Sequence, residues 1–453
     1  MIDRRKIEPL DSGPPLSPIP EIPDKLKGGW QLAMPMILAI YLALAILNAN
    51  MVPLAPRGYQ NAPDEPAHLL YVHIISEGRL PSKLNSEASK PFFNTDGDKY
   101  ESYEWHQPPL YYALAASILP LGERSIRYLS IVIGFASTLL VFQAGRWLIP
   151  SRPMAAILAS GIVAFTPGHI AISSVVNNDA LLEFFFSAWC LVVIHSLNGG
   201  LTPVRARWLG LIMAGAALTK ATAILLIPLT VFALFLMWRN GEALKNIGRG
   251  ILWIAGIVFT LSGWWFIRNY QLYHEFLPIK TFQASFTGTA RAIDVVHGKL
   301  GLPVFDWPSY FQLVGSWSFQ SFWATFGTSK SRIYGVPYYL APQIYQILGI
   351  VCLIAIGGMI RLHFRKKLEF TQTQLYCLWI LFGLLGIVAC SFLMYICTYF
   401  QAQGRYLYPA MLPIALCISM GWRSLIPLKY ENSSSFLLLG LLLVVCFAYY
   451  RVL

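Results

Sequence analysis

Charged residues are scarce in this chain: Asp, Glu, Lys and Arg make up 12% of its 453 residues, whereas hydrophobic residues make up 56%. Soluble domains carry about 25% charged residues, so the composition excludes an ordinary soluble globular protein. The alternating pattern of an outer-membrane barrel is also absent. Several apolar runs reach the roughly 20 residues that a helix needs to cross a bilayer. The sequence therefore predicts an all-α polytopic membrane protein, because lipid offers an open backbone no hydrogen-bond partner.

Cysteine is absent from the polar loops: all seven cysteines lie in or beside apolar runs. This distribution excludes a disulfide framework and a cysteine-based zinc site. The chain also has no tandem repeat, no glycine-rich phosphate loop and no large domain on the side richest in Lys and Arg. A nucleotide site of the soluble type therefore has no place in the sequence.

About eleven membrane spans are predicted from the apolar runs. The run 207–238 is too long for one ordinary span and contains Lys220, so we divide it into two helices with Lys220 at the turn. The spans are 31–53, 127–147, 153–175, 180–197, the two halves of 207–238, 250–267, 341–360, 374–396, 406–427 and 435–451.

The net charge of +12 lies largely in short loops between spans, such as 361–367. Membrane topology and anionic headgroups explain this excess better than nucleic-acid binding does. The clusters fall on one side, which we assign to the cytoplasm. We expect residues 1–28 to form a disordered cytoplasmic tail and 29–453 to form the transmembrane domain. The long loops 54–126 and 268–340 then face outward.

The segment 108–119 is apolar but short, since at 1.5 Å per residue it would cover about 18 Å as a helix. If it crossed the membrane, the later Lys and Arg clusters would fall outside. We therefore predict a helix in the outer interface, a depth that suits Tyr111 and Tyr112.

Unusual polar residues gather on the predicted outer side of the membrane. Ionisable groups at membrane depth are costly and tend to mark function. In chain order these residues are Asp64, Glu65, His106, Asn177, Asn178, Asp179, Lys220, Arg268, Asn269 and Arg405.

Structural explanations compete with functional ones for these residues. An acid before a proline caps a helix, which accounts for one of Asp64 and Glu65 but leaves the other unexplained. Asp179 is likewise a candidate cap. Arg268 and Arg405 suit anchors that reach from apolar sequence into the interface.

His68 follows Asp64 by one helical turn. Asp64, Glu65 and His68 together are a candidate divalent-metal site, whereas a polar helix face explains the same spacing. The question of a metal cofactor stays open, and no other cofactor is indicated.

A carboxylate among cations at the outer lipid boundary suits one class of chemistry. The cations suit a phosphate held at headgroup depth, and the carboxylate suits removal of a proton from an incoming hydroxyl or amine. A cation also stabilises the charge that grows on a leaving phosphate. These features predict glycosyl transfer from a polyprenyl-phosphate sugar, by a single displacement that inverts the anomeric centre.

A family resemblance is carried by seven stretches that follow one another along the chain: PDEPAHLLYVHIISEGRLP (63–81), HQPPLYYALA (106–115), NNDALLEFF (177–185), LTKAT (218–222), GWWFIRNYQLYHEFLP (263–278), SFWATFG (321–327) and QGRYLYPAMLPIAL (403–416). Together they resemble the GT-C superfamily of integral-membrane glycosyltransferases, which includes protein O-mannosyltransferases, aminoarabinose transferases and oligosaccharyltransferases. The chain is also similar to a bacterial membrane family of unknown function that is predicted to be GT-C-like.

The resemblance implies roles for individual residues. The acids Asp64, with Glu65 beside it, and Asp179 match catalytic positions. The residues expected to bind substrate are His106, Lys220, Arg268, Arg405 and Tyr406, with Arg405 at the donor phosphate.

The resemblance also implies partners and a location. The partners are a polyprenyl-phosphate-linked sugar donor, a lipid, glycan or protein acceptor, and membrane lipids, without nucleic acid. The location is the bacterial plasma membrane, with the active site outside the cytoplasm.

Other functions remain open at this point. A transporter or flippase of a polyprenyl-linked or anionic substrate would place its charges nearer the bilayer midplane. An O-antigen ligase or polymerase would favour Arg and His in its late loop, and a scaffold without activity is also compatible with the sequence.

Overall fold

The computed structural model describes residues 32–54, 62, 64–81, 92–93, 99–100, 103–285, 290–302, 304, 306–324 and 340–452. The predicted tail, 1–28, and the end of the stretch SFWATFG lie outside the described residues. Helices account for most of the described chain, and a two-residue antiparallel pairing of Phe92–Phe93 with Lys99–Tyr100 lies in the first long loop. The predicted all-α polytopic class is confirmed.

Seventeen α-helices follow one another in the described residues. They are α1 (Ala33–Met51), α2 (Glu65–Ser76), α3 (Leu110–Ile118), α4 (Glu123–Leu148), α5 (Pro153–Ala164), α6 (Pro167–Ile172), α7 (Asp179–Gly199), α8 (Pro203–Ala217), α9 (Leu226–Arg239), α10 (Leu244–Tyr273), α11 (Ile279–Ser285), α12 (Ala292–Val296), α13 (Trp307–Trp323), α14 (Pro342–Glu369), α15 (Gln372–Thr398), α16 (Met411–Leu425) and α17 (Glu431–Val452).

Eight segments of the described chain are long and apolar enough to cross a membrane. They are α1, α4, α7, Ala221–Arg239, α10, Pro342–Phe364, α15 and Glu431–Arg451. The other three predicted spans correspond to shorter or broken helices: α5 with α6, α8, and α16 with the 3₁₀ turn Gly404–Ala410 before it.

The helices depart from the predicted spans at two places and agree with them at the turn near Lys220. Pro167 begins α6 and lacks the N–H that would continue α5, so the third span is broken. The chain turns at Lys220, as predicted, through the extended backbone of that residue and a 3₁₀ turn. Residues 361–367, predicted as a loop, instead continue α14.

The packing of the helices brings distant parts of the chain to one end of the bundle. α4 packs on α5 and α7, α8 on α10, and α14 on α16, around a core of aliphatic and aromatic side chains. α2 and α3 pack together beside the start of α4, and α3 has only nine residues, too few to cross a bilayer. We call this side of the molecule the Asp64 end and the other side the opposite end.

Candidate active site

Asp64 immediately precedes α2 in a backbone conformation that does not cap the helix. Its φ is 65°, in the left-handed region that Asp tolerates better than most residues, and its side chain makes no capping hydrogen bond. The carboxylate instead accepts hydrogen bonds from the Tyr103 hydroxyl, at 2.6 Å, and from the Arg405 guanidinium. Asp64 therefore does not cap α2 with its side chain.

Arg405 links two carboxylates that lie far apart in the sequence. Its Nη2 donates to Asp64 Oδ2, and its Nη1 lies 3.8 Å from Asp179 Oδ2. Lys220 extends the set through an ion pair with Asp179. We call Asp64, Arg405, Asp179 and Lys220 the charged cluster. It contains two acids and two cations, so its formal charges balance.

The four side chains of the charged cluster differ in their access to the surface. Asp64 is 26% exposed, whereas Arg405 is 8%, Asp179 11% and Lys220 19% exposed. A molecule that approaches from outside therefore meets the Asp64 carboxylate most readily.

Asp64 is ionised at neutral pH. Burial would raise its pKa, but the positive charge of Arg405 and the hydrogen bond from Tyr103 outweigh that effect and lower the pKa to about 2. A carboxylate of such low basicity is a poor proton acceptor while Arg405 holds it. Its basicity would rise if Arg405 found another partner.

A short irregular stretch holds Arg405 in position. Gly404, just before it, lies against α13 so closely that a Cβ there would meet the Phe322 nitrogen at 2.4 Å. Arg405 Nε donates to Gln403 Oε1 at 2.7 Å, and its guanidinium lies 5.5 Å from the centre of the Tyr406 ring. Tyr406 therefore supports the arginine from within the same turn.

Two loops meet where Asp179 and Lys220 pair. The Asp179 N–H donates to Asn177 Oδ1 at 2.7 Å, and Asn178 Nδ2 donates to the Thr219 carbonyl at 3.2 Å. Asp179 is the first residue of α7, and the N-cap position before it belongs to Asn178, so Asp179 is not the cap. The carboxylate is therefore free to pair with both cations of the charged cluster.

Glu65 points away from the charged cluster and into the helix bundle. Arg127 on α4 donates from Nε to Glu65 Oε1 at 2.8 Å, and both side chains are 0% exposed. The Val176 N–H donates to the same oxygen at 2.9 Å, and Arg127 also donates to main-chain oxygens that follow α1. Glu65 thus lies in a saturated ionic contact that ties α1, α2 and α4 together.

A candidate metal site adjoins Asp64. Ligand atoms of Asp64, His68 and Glu104 lie within 4.8 Å of one another. Glu104 Oε2 is buried and has no hydrogen-bond partner among the described residues. The predicted ligand set of Asp64, Glu65 and His68 is not assembled, because Glu65 faces Arg127. Glu104 stands in its place, and two carboxylates with one imidazole suit a divalent transition-metal ion.

His106 lies in the 3₁₀ turn Tyr103–His106, close to α3. Its Nδ1 donates to the Tyr103 carbonyl at 2.8 Å, and its ring centre lies 4.5 Å from that of Phe282. Burial lowers its pKa to about 4. The ring is therefore neutral at pH 7, and Nε2 is its acceptor nitrogen.

Arg268 has contacts of its own, apart from the charged cluster. Its Nη2 donates to the Pro81 carbonyl at 2.6 Å, and its guanidinium lies 4.8 Å from the centre of the Trp265 ring. Its Nη1 is buried without a hydrogen-bond partner in the described part of the chain. Arg268 therefore fastens the segment after α2 to the end of α10.

Three residues of the site and its surroundings were not predicted from the sequence: Tyr103, Glu104 and Arg127. Glu104 lies two residues before His106, and an acid so close to a singled-out histidine was an available signal. Arg127 begins a predicted apolar span, and an arginine at membrane depth indicates a buried partner. Tyr103 offered no signal.

Comparison with known proteins gives one family match. Residues 106–265 match the model of the dolichyl-phosphate-mannose-protein mannosyltransferase family. The match covers less than half of the chain, and it includes Asp179 and Lys220 but neither Asp64 nor Arg405. No curated protein sequence matches the chain.

Solved structures with a similar fold include an archaeal enzyme. The apo oligosaccharyltransferase of Archaeoglobus fulgidus is 14% identical, with a TM-score of 0.53 over 94% of this chain and 55% of the other. The same organism's oligosaccharyltransferase AglB, in complex with an inhibitory peptide and a dolichol-phosphate, is 12% identical, with a TM-score of 0.52 over 92% and 55%. Our chain thus spans about half the length of these structures, and the likeness establishes the fold.

Proposed function

The chain has the fold of the GT-C superfamily of integral-membrane glycosyltransferases, and on that premise we propose that it transfers a sugar from a polyprenyl-phosphate donor to an acceptor. One observation carries this proposal: the accessible Asp64 carboxylate touches the guanidinium of Arg405, although 340 residues lie between them. A proton acceptor and a phosphate ligand are thereby joined at one point of the surface.

Sugar transfer would proceed in one displacement. An acceptor oxygen or nitrogen attacks the anomeric carbon while the bond from that carbon to the phosphate oxygen breaks. The electron pair leaves with the polyprenyl phosphate, and the acceptor's proton passes to Asp64. Attack from the side opposite the phosphate inverts the configuration at the anomeric carbon.

Arg405 has two roles in this proposal. In the structure it pairs with Asp64 and keeps that carboxylate weakly basic. A bound donor phosphate would compete for the same guanidinium, since Arg forms strong paired hydrogen bonds with phosphate as with carboxylate. Donor binding would then free Asp64 and raise its pKa, so the base becomes effective only when the sugar is in place.

The other polar residues would assist donor and acceptor. Lys220 adds a second positive charge for the leaving phosphate through its place beside Asp179. Asp179 holds Lys220 and Arg405 near each other, and we assign it to the site on that ground. His106, neutral and with Nε2 as an acceptor, suits a hydrogen bond from a sugar hydroxyl.

The comparisons support a lipid-linked donor. The matched family is named for dolichyl-phosphate-mannose, and one structural neighbour was solved with a dolichol-phosphate. Because Lys and Arg concentrate in the short loops that we assign to the cytoplasm, we place the Asp64 end outside the cytoplasm of a bacterial plasma membrane. The acceptor is then a lipid, glycan or protein that reaches that face.

A direct assay tests the proposal. Purified full-length protein in detergent micelles is incubated with a panel of polyprenyl-phosphate sugars and acceptors, and released polyprenyl phosphate is measured. We expect the wild-type protein to consume at least one donor. A transporter would leave every donor intact, because micelles hold no second compartment, so a fully intact panel would contradict the proposed activity.

The site has a second possible state, in which Asp64, His68 and Glu104 hold a divalent metal ion. The observation that favours it is the unpartnered, buried Glu104 Oε2 next to Asp64 and His68. A divalent ion held by these three residues would supply positive charge beside the donor phosphate. Metal analysis of purified wild-type, Glu104→Gln and His68→Ala proteins decides the point: bound metal in the wild type alone supports this arrangement, and equal metal content in all three contradicts it.

A further inference from the structure

A polar pocket lies at the opposite end of the bundle, away from the charged cluster. It has a volume of about 280 Å³ and lies among α5, α14, α15 and α16. Its lining combines polar side chains with apolar ones, chiefly Ser151, Arg152, Arg423, Leu362, Phe370 and Met420. No role in sugar transfer falls to these residues.

The pocket carries an excess of positive charge. Arg423 is buried and pairs with Glu431, and Arg152 Nη1 lies 3.6 Å from the same carboxylate. Two guanidinium groups therefore share one acid. Arg423 Nε is buried and has no hydrogen-bond partner among the described residues. Arg361 adds a further cation nearby, since it donates to the Ser424 carbonyl at 2.6 Å.

The pocket also has an apolar side. Leu362 from α14, Met420 from α16 and Phe370, which follows α14, line it beside the two arginines. Leu362 and Met420 are buried, whereas Phe370 is partly exposed, so the apolar side of the pocket reaches the protein surface. An anion with a hydrocarbon tail would thus contact both the arginines and the apolar side of the pocket, whereas a free anion would contact only the arginines.

We propose that this pocket binds the phosphate headgroup of an anionic phospholipid from the leaflet at the opposite end. Arg152 and the free Nε–H of Arg423 would donate to the phosphate oxygens, and the acyl chains would lie along Leu362 and Phe370. The lipid would join α5, α14 and α16 at their ends. This site is independent of the proposed sugar transfer.

Lipid binding to delipidated full-length protein tests the site. Phosphatidylglycerol, phosphatidylcholine and inorganic phosphate are titrated separately, and bound lipid is counted by native mass spectrometry alongside the melting temperature. We expect phosphatidylglycerol to bind and to raise the melting temperature, and the other two to have little effect. Arg152→Gln should weaken the binding of phosphatidylglycerol about tenfold, the loss of one charged contact.

Two further variants make the test specific. Ser151→Asp puts a negative charge on an exposed residue of the pocket and should weaken phosphatidylglycerol binding to a similar extent without disturbing the fold. Arg207→Gln removes a cation that contacts Trp253 outside the pocket, and it should leave the binding unchanged. Equal stabilisation by phosphatidylcholine or by inorganic phosphate would overturn the assignment. Wild-type affinity in both pocket variants would also overturn it.

Discussion

Two acids that are neighbours in the sequence, Asp64 and Glu65, form ion pairs of opposite character. Glu65 and Arg127 are both fully buried, and their hydrogen bonds hold three helices together. The Asp64 carboxylate is 26% exposed, and its partner Arg405, although buried, shares its guanidinium with Asp179. A saturated buried pair has no capacity for a ligand, whereas a shared, accessible pair can exchange partners. The Glu65–Arg127 pair therefore supports the structure of the site, whereas the Asp64–Arg405 pair can take part in binding and in the reaction.

Removal of Glu65 should cause the largest effect, because it leaves Arg127 charged and buried without a partner. We expect Glu65→Ala to cost about 3–5 kcal/mol of stability, so that the protein is poorly folded or aggregates. Size-exclusion chromatography and the melting temperature in detergent measure the loss. Glu77→Ala is the control, since Glu77 pairs with Arg79 in an exposed contact worth about 1 kcal/mol or less. A Glu65→Ala protein as stable as that control would remove the distinction between the two acids.

Asp64→Asn should act on the reaction and not on the fold. We expect a drop in kcat of at least about 100-fold, because the amide cannot accept the proton. The melting temperature should change far less than in Glu65→Ala. Asp294→Asn, at a partly exposed carboxylate that pairs with Lys299, serves as the control for a lost carboxylate. Equal turnover by the wild-type and Asp64→Asn proteins would exclude Asp64 from the mechanism.

Arg405→Ala should raise the KM for the donor about tenfold or more, since a charged contact to the phosphate is lost. It should also move the acid limb of the kcat/KM profile, which reports the free enzyme, to higher pH. Without the positive charge of Arg405, burial is less opposed and the pKa of Asp64 rises above about 2. Arg405→Lys keeps the positive charge but cannot form the paired hydrogen bonds of a guanidinium, so its KM should lie between those of the wild type and Arg405→Ala. An unchanged KM in Arg405→Ala would contradict the phosphate role.

The titration of His106 should act on the pH dependence of stability and not on turnover at neutral pH. Its pKa falls from an ordinary 6.5 to about 4 in the folded protein. Between these values the unfolded chain binds more protons, so the free energy of unfolding decreases as the pH falls from 6.5 to 4. The melting temperature of the wild type should therefore decrease more over this range than that of His106→Asn. Parallel curves for the two proteins would show that His106 is not buried in its neutral form.

The turn at Lys220 is a feature that the local sequence predicts correctly. A run of apolar residues too long for one span, interrupted by a lysine, is enough to place a turn, since bilayer thickness limits the length of a helix. The same limit predicts that the short segment 108–119 does not cross the membrane, and its helix α3 has only nine residues. By contrast, the apolar run of the third predicted span continues through Pro167, so hydrophobicity alone does not indicate the helix break there.

The fold class, most of the apolar spans and the unusual polar residues could be predicted from the sequence, because a helix in a bilayer must be apolar along its whole length. The contacts between those polar residues depend on how the helices pack. Asp64 and Glu65 have the same charge and the same neighbours in the sequence, yet one contacts Arg405 and the other Arg127. That choice depends on the left-handed backbone of Asp64 and on the helices packed around α2. Such contacts join residues far apart in the chain, and no local pattern records them.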